Sequence, residues 1–216
     1  AAAAAAPESL SDYTQKLRHL SANARPVSKN EAVETLETRD PAIAGELLLV
    51  SNDPTADRYR SLAERYRERG VLDAAYRNFN RAIALNPRNG AAYEGLARVW
   101  RDWGLPALAL SDAHRAIYFA PQSASARNTY GTVMQALGRY DDARRAYELA
   151  SSLDPQGAYA VNNLCYLAFL NGGLDAAIET CRKALELDPS MTTARNNLAP
   201  AFAASGRKDL AHTEFV

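Results

Sequence analysis

Three asparagines recur at a fixed interval: Asn128, Asn162 and Asn196 are 34 residues apart, and Thr129, Asn163 and Asn197 follow one place on. A carboxamide carries both a donor and an acceptor, as a peptide bond does. A ladder of carboxamides along a groove can hold an extended backbone while ignoring its side chains. The alternative is that these amides tie neighbouring helices together or face water. Other chemistry-bearing residues are sparse. His19, His114 and His212 lie far apart, outside any H-x-x-x-H or H-E-x-x-H spacing. The chain has no G-x-S-x-G elbow, no G-x-x-x-x-G-K phosphate loop and no G-x-G-x-x-G. No Cys/His cluster has zinc spacing. Asp141 and Asp142 read as polar residues opening a helix. The expectation is a protein without catalysis, cofactor or metal.

Two of the asparagines fall in "YAVNNLCYLAFL", residues 159–170. At 100° per residue this stretch is a helix with two apolar sides. Val161, Leu164, Cys165 and Ala168 share one face. Tyr159, Tyr166, Phe169 and Leu170 fall roughly opposite, with Asn162 and Asn163 among them. One face is explained as core; the other needs a second reason to be apolar.

Composition narrows the options. The 25 Lys and Arg balance 25 Asp and Glu, which removes the electrostatic case for nucleic acid or an anionic membrane. No apolar run approaches the ~18 residues of a membrane span. Arg65, Arg67 and Arg69 alternate with Glu64 and Glu68, the pattern of a solvated mixed-charge face rather than a basic stripe.

The dominant signal is a 34-residue repeat. It fixes Pro87, Pro121, Pro155 and Pro189; Gly70, Gly104, Gly138, Gly172 and Gly206; and Ala75, Ala109, Ala143, Ala177 and Ala211. A small-residue column runs through Ala63, Ala97, Gly131, Cys165 and Ala199, and another through Ala82, Ala116, Ala150 and Ala184. In each unit a first helix ends before the glycine, which permits a turn, and a second helix ends before the proline. In the first unit these helices are expected at about 56–69 and 73–85. Small residues let the helices approach closely, and one hairpin cannot bury its apolar faces without stacked neighbours.

These columns resemble the tetratricopeptide repeat (TPR) over about 56–216, with units at about 56–89, 90–123, 124–157, 158–191 and a partial one at 192–216. The resemblance implies an all-α, right-handed solenoid of antiparallel helix pairs. Arg127 and Arg195 depart from it by standing where the family prefers a large apolar residue. Ala113 and Cys181 do so by replacing the aromatic of the second helix.

The resemblance also implies a concave surface lined by the first helices. The second side of residues 159–170 would then face a groove, with Tyr159, Tyr166, Phe169 and Leu170 forming an apolar patch beside Asn128, Asn162, Asn163, Asn196 and Asn197. The N-terminal half of that groove is charged, with Arg60, Arg67, Arg98 and Arg101 among Asp57, Glu64, Glu68, Glu94 and Asp102. It does not match the basic clamp by which chaperone-binding TPR domains hold a C-terminal carboxylate. The expected function is binding of a protein or peptide partner. The alternatives are a scaffold that self-associates and a regulatory domain of an enzyme system.

A narrower resemblance rests on "NNLCYLAFLNGG" and "ARNNLAPAFAASGR", which are similar to the Asn-Asn-Leu repeats of bacterial TPR proteins of Tad-type pilus assembly. It implies a pilotin-like lipoprotein in the periplasm, anchored to the outer membrane, with a secretin or another pilus-assembly component as partner. The other location to weigh is the cytoplasm.

Residues 1–55 lie outside the clear repeat and are expected to form a helical cap or degenerate repeat. A helix is expected within 7–24, Ser28 with Glu31 forms a capping box for another, and Asp40-Pro41 opens a third through about Val50. The six leading alanines carry no functional weight. At the other end, Val216 falls inside the second helix of the fifth unit, so the array is expected to continue or to be covered by another molecule. Cys165 and Cys181 occupy core columns on the two helices of the fourth hairpin. They are expected to be near neighbours, either as two buried thiols or as a disulfide, which would point to an oxidising compartment.

Overall fold

The computed structural model describes residues 39–207 and 209–211. The helix expected within 7–24 and the one opened by Ser28 lie outside these residues. Ten helices are formed among the described residues: α1 (Pro41–Asn52), α2 (Ala56–Glu68), α3 (Leu72–Leu85), α4 (Gly90–Asp102), α5 (Pro106–Phe119), α6 (Ala124–Ala136), α7 (Tyr140–Leu153), α8 (Ala158–Leu170), α9 (Leu174–Leu187) and α10 (Thr192–Ala204). Residues 209–211 begin another. The Asp40 carboxylate starts α1 by accepting from the N–H of Ala42 at 3.0 Å, with Pro41 in the first turn. The chain divides into two compact units between Gly45 and Glu46, inside α1. The architecture below is that of the second unit.

From α2 onward the helices pair into antiparallel hairpins, and corresponding helices of successive hairpins start 34 residues apart. Thr55, Asn89 and Ser123 each cap a first helix by accepting from the backbone N–H three residues on. Each first helix turns into its partner through a glycine with φ between 73° and 80°, a conformation that costs other residues a steric penalty. Four hairpins are complete and a fifth begins, so the all-α array of helix pairs expected from the repeat is the fold.

The core is a set of small residues facing larger ones. Ala63, Ala97, Cys165 and Ala199 have no exposed surface, nor do Ala75, Ala109, Ala143 and Ala177. In the third hairpin Gly131 faces Tyr147 so closely that a Cβ at 131 would lie 2.5 Å from the ring. Sixteen residues also separate Cys165 from Cys181, and these are joined by a disulfide with Cα atoms 5.1 Å apart. There the bridge takes the place of the small–aromatic contact. The second hairpin has alanine on both sides, Ala97 and Ala113. Val133, Met134 and Tyr147 pack into the same cluster and fill the space. The two missing aromatics therefore leave the core closed.

The first helices of successive hairpins touch one another: α2 with α4, α4 with α6, α6 with α8, α8 with α10. The second helices α3, α5, α7 and α9 make no such contacts among themselves. A stack that is closer along one layer curves toward it, so α2, α4, α6, α8 and α10 form the inner layer.

Candidate functional site

The inner helices are stitched together by side chains in one register. The Asn163 amide donates to Asn128 Oδ1 at 2.8 Å, and the Asn197 amide donates to Asn162 Oδ1 at 3.0 Å. The Thr129 hydroxyl donates to Glu94 Oε1 at 3.0 Å. Each pair is 35 residues apart, one repeat plus one place, because the following helix meets the preceding one a residue further along. The corresponding pair one repeat earlier would be Arg60 with Gly95. Gly95 has no side chain, and Phe79 lies where its Cβ would project. Four of the five asparagines singled out from sequence, Asn128, Asn162, Asn163 and Asn197, thus make interhelical ties.

The amide nitrogen of Asn128, by contrast, has no partner among the described residues. Asn162 is buried, Asn128, Asn163 and Asn197 are half-buried, and Asn196 is exposed.

The charged end of the layer is a network. Arg67 binds Glu64 through both Nε and Nη2, and reaches Asp102 at 3.2 Å. Arg98 reaches Glu64 at 3.3 Å, pairs with Glu94 on its own helix, and donates to Ser125 Oγ at 2.8 Å and Thr129 Oγ1 at 3.1 Å. Arg101 pairs with Asp102 at 2.8 Å and donates to Thr132 Oγ1 at 2.9 Å. Burial pushes the Glu64 carboxyl up, but the hydrogen bonds and charges of Arg67 and then Arg98 outweigh it and hold Glu64 below the usual carboxylate range. Burial likewise pushes Arg67 down, and Glu64 and Asp102 more than restore it. Arg60 stands apart from this network and pairs with Asp57 at 3.6 Å.

These groups surround an open cleft of about 470 Å³ between α4, α6 and the start of α8. Arg67, Arg98 and Arg101 line it together with Ser125, Asn128 and Thr129 of α6 and with Asp154 and Tyr159. The sequence reading divided the groove into a charged half and an amide-plus-aromatic half, whereas in the structure the two meet in this cleft. A second cleft of about 360 Å³ contains Tyr166 and Leu170 with Arg101, Thr132, Gln135 and Tyr140. Phe169 belongs to neither: it is half-buried against the cluster of Cys165, Ile178, Leu198 and Phe202. The expected single patch is therefore distributed. Tyr159 is 70% exposed in the first cleft, Tyr166 and Leu170 lie in the second, and Phe169 packs toward the core.

Sequence reasoning did not single out Ser125, Thr132, Tyr140 or Asp154. Ser125 and Thr132 join the inner layer one helix away from their arginine partners, 27 and 31 residues along the chain, and neither interval is a repeat step. Among the described residues no group of three or more His, Cys, Asp or Glu is arranged to hold a metal ion. No helix among them is long and apolar enough to cross a membrane.

Residues 131–192 match the tetratricopeptide repeat family. No curated protein sequence is significantly similar to the chain. Solved structures share the fold. A thermophilic TPR protein of Thermus thermophilus, TTC0263, superposes with a TM-score of 0.69 at 24% identity, over 82% of this chain and 97% of that one. PilF of Pseudomonas aeruginosa gives 0.67 at 23% identity, over 76% and 75%. YrrB, a TPR protein with an unusual peptide-binding site, gives 0.55 at 19% identity, over 80% and 90%. The 34-residue hairpins and the inner layer of first helices give this chain the fold of those proteins, and residues 131–192 are tetratricopeptide repeats.

Proposed function

We propose that the chain is a protein-binding module that holds an extended segment of a partner along its inner helices, centred on the cleft between Arg98 and Tyr159. The observation that carries this reading is the pairing, in one cleft of about 470 Å³, of an Asn128 amide nitrogen that has no partner among the described residues with Tyr159, which is 70% exposed. A ring of that kind offers much contact area for little rotamer entropy, and an uncommitted amide supplies directional hydrogen bonds. The peptide-binding site of YrrB, on the same fold, supports the use of such a surface. The test is capture of the partner from the source organism, followed by calorimetry with the Asn128→Ala, Tyr159→Ala double variant. A loss of at least tenfold in affinity, about 1.4 kcal/mol, with thermal unfolding preserved is expected. Unchanged affinity would remove the cleft as the site.

We further propose that this partner is a secretin or another component of pilus assembly, met in the periplasm at the outer membrane. Two observations support it: the likeness of fold to PilF, and a disulfide between the only two cysteines, which suits an oxidising compartment. Fractionation of the source cells with alkylation of free thiols before lysis tests it. A cytoplasmic protein carrying two alkylated cysteines would reverse the assignment.

A further inference from the structure

We infer that α8, α9 and α10 form one oxidation-dependent folding unit, and that the bridge between Cys165 and Cys181 decides whether the inner layer presents Tyr159 and Tyr166. The folding of this unit is independent of any ligand; the effect on binding rests on the groove reading above. Helices α8–α10 carry weaker local signals than the helices before them. Thr55, Asn89 and Ser123 cap α2, α4 and α6 with a side-chain oxygen, whereas α8 and α10 begin at Gly157 and Met191 with no side-chain hydrogen bond. Gly173 stands where the earlier hairpins have Val71, Leu105 and Arg139. Its φ is −80°, which any residue adopts, so glycine there adds freedom to the open chain and gains nothing in the folded one. Pro200 lies inside α10 and cannot donate to the Asn196 carbonyl. These features all fall within α8–α10, and a segment of low local stability opens before the rest of a fold does.

The same hairpin lacks the ring that fills others. Tyr147 packs over Gly131 in the third hairpin, and Phe79 holds the same column, buried, in the first. Cys181 is too short for that role, and its bond to Cys165 replaces the contact. Neither cysteine has exposed surface, so an external thiol or disulfide reaches the sulfurs only when the hairpin opens. Forming the bridge takes one proton and one electron from each thiol; the disulfide of an external oxidant accepts both electrons and becomes two thiols. With the bridge closed, the open chain is restricted across a separation of 16 residues and the unit stays folded. With two thiols that restriction is gone. Helix α8 then leaves the inner layer, and the bond from Asn163 to Asn128 breaks with it. The ion pairs of Arg67, Arg98 and Arg101 lie within α2 and α4 and survive. The reduced protein therefore keeps the charged residues of the cleft and loses Tyr159.

The experiment is hydrogen–deuterium exchange of the full chain, read by mass spectrometry. It compares the oxidised protein with protein reduced in urea and returned to native buffer containing dithiothreitol. On reduction, amides of residues 158–204 should exchange roughly tenfold faster or more, while those of residues 56–153 change by less than about threefold. Unchanged protection of residues 158–204 would show that two buried thiols hold the unit closed. An equal loss in residues 56–153 would show that it is not a separate unit. Either result overturns the inference. The cysteine-free variant Cys165→Gly, Cys181→Tyr should exchange alike with and without dithiothreitol; acceleration by reductant there would mean that it acts elsewhere, and also overturns it. Calorimetry with the captured partner then reads the effect on binding, where the reduced protein should be weaker by roughly tenfold or more. Equal affinity of a reduced protein whose α8–α10 are open would remove the groove reading and leave the folding unit. Unchanged exchange would remove the folding unit and leave the groove reading.

Discussion

Asn163 donates its side-chain amide to Asn128 Oδ1 at 2.8 Å across 35 residues of sequence. This bond couples two inner helices, and it commits the Asn128 oxygen inward while leaving the nitrogen for the cleft. One end of Asn128 therefore ties two helices, while the other has no partner among the described residues. Removing the pair should show a coupling of about 0.5–1.5 kcal/mol in a double-mutant cycle of Asn128→Ala and Asn163→Ala, measured by urea unfolding. Additive single effects would mean that the two amides act independently.

Gly131→Ala should destabilise the third hairpin by about 1–3 kcal/mol, because the added Cβ would meet the Tyr147 ring at 2.5 Å. Shrinking the ring in the double variant with Tyr147→Leu should recover part of that loss. Chemical denaturation of the three proteins tests this, and a double variant no more stable than Gly131→Ala would show that the contact is not the cause.

Reducing the bridge between Cys165 and Cys181 should lower stability by roughly 3 kcal/mol, the loop-closure effect for a separation of 16 residues. The double variant Cys165→Gly, Cys181→Tyr recreates the Gly131–Tyr147 arrangement one repeat later. It should be insensitive to reductant and more stable than the reduced native protein. Denaturation with and without dithiothreitol provides both comparisons.

Acid should weaken the charged end of the inner layer. The folded carboxyl of Glu64 is held below its ordinary value of 4.5, so its contribution to stability is fully present above that pH and is lost as pH falls through the folded value. Arg98→Ala removes one of the two cations responsible and should reduce the slope of stability against pH below about 4.5. An acid limb of undiminished slope in Arg98→Ala would assign it to other carboxylates.

The hairpin, its period and its stops are legible in the amino-acid sequence alone. Those features are local: a glycine reaching φ 73–80° and a proline lacking an N–H act within a few residues of themselves, so their columns announce helix ends without any knowledge of packing. The small-residue columns were legible for a related reason, because close helix contact excludes a long side chain whatever its neighbours are. Even the proximity of Cys165 and Cys181 followed from their columns; that they are joined came only from the structure.

The partner of each inner-layer side chain, by contrast, is set by how the helices pack. A column of asparagines is compatible with binding a ligand and with tying helices, and the choice depends on how far one inner helix is offset against the next. That offset, one residue beyond the repeat, places Asn163 on Asn128 and Thr129 on Glu94. The same geometry brings Arg98 to Ser125 and turns Phe169 toward Phe202 while Tyr159 stays in the groove. Such assignments depend on distances of a few ångströms between helices some thirty residues apart in sequence, and no local periodicity encodes them.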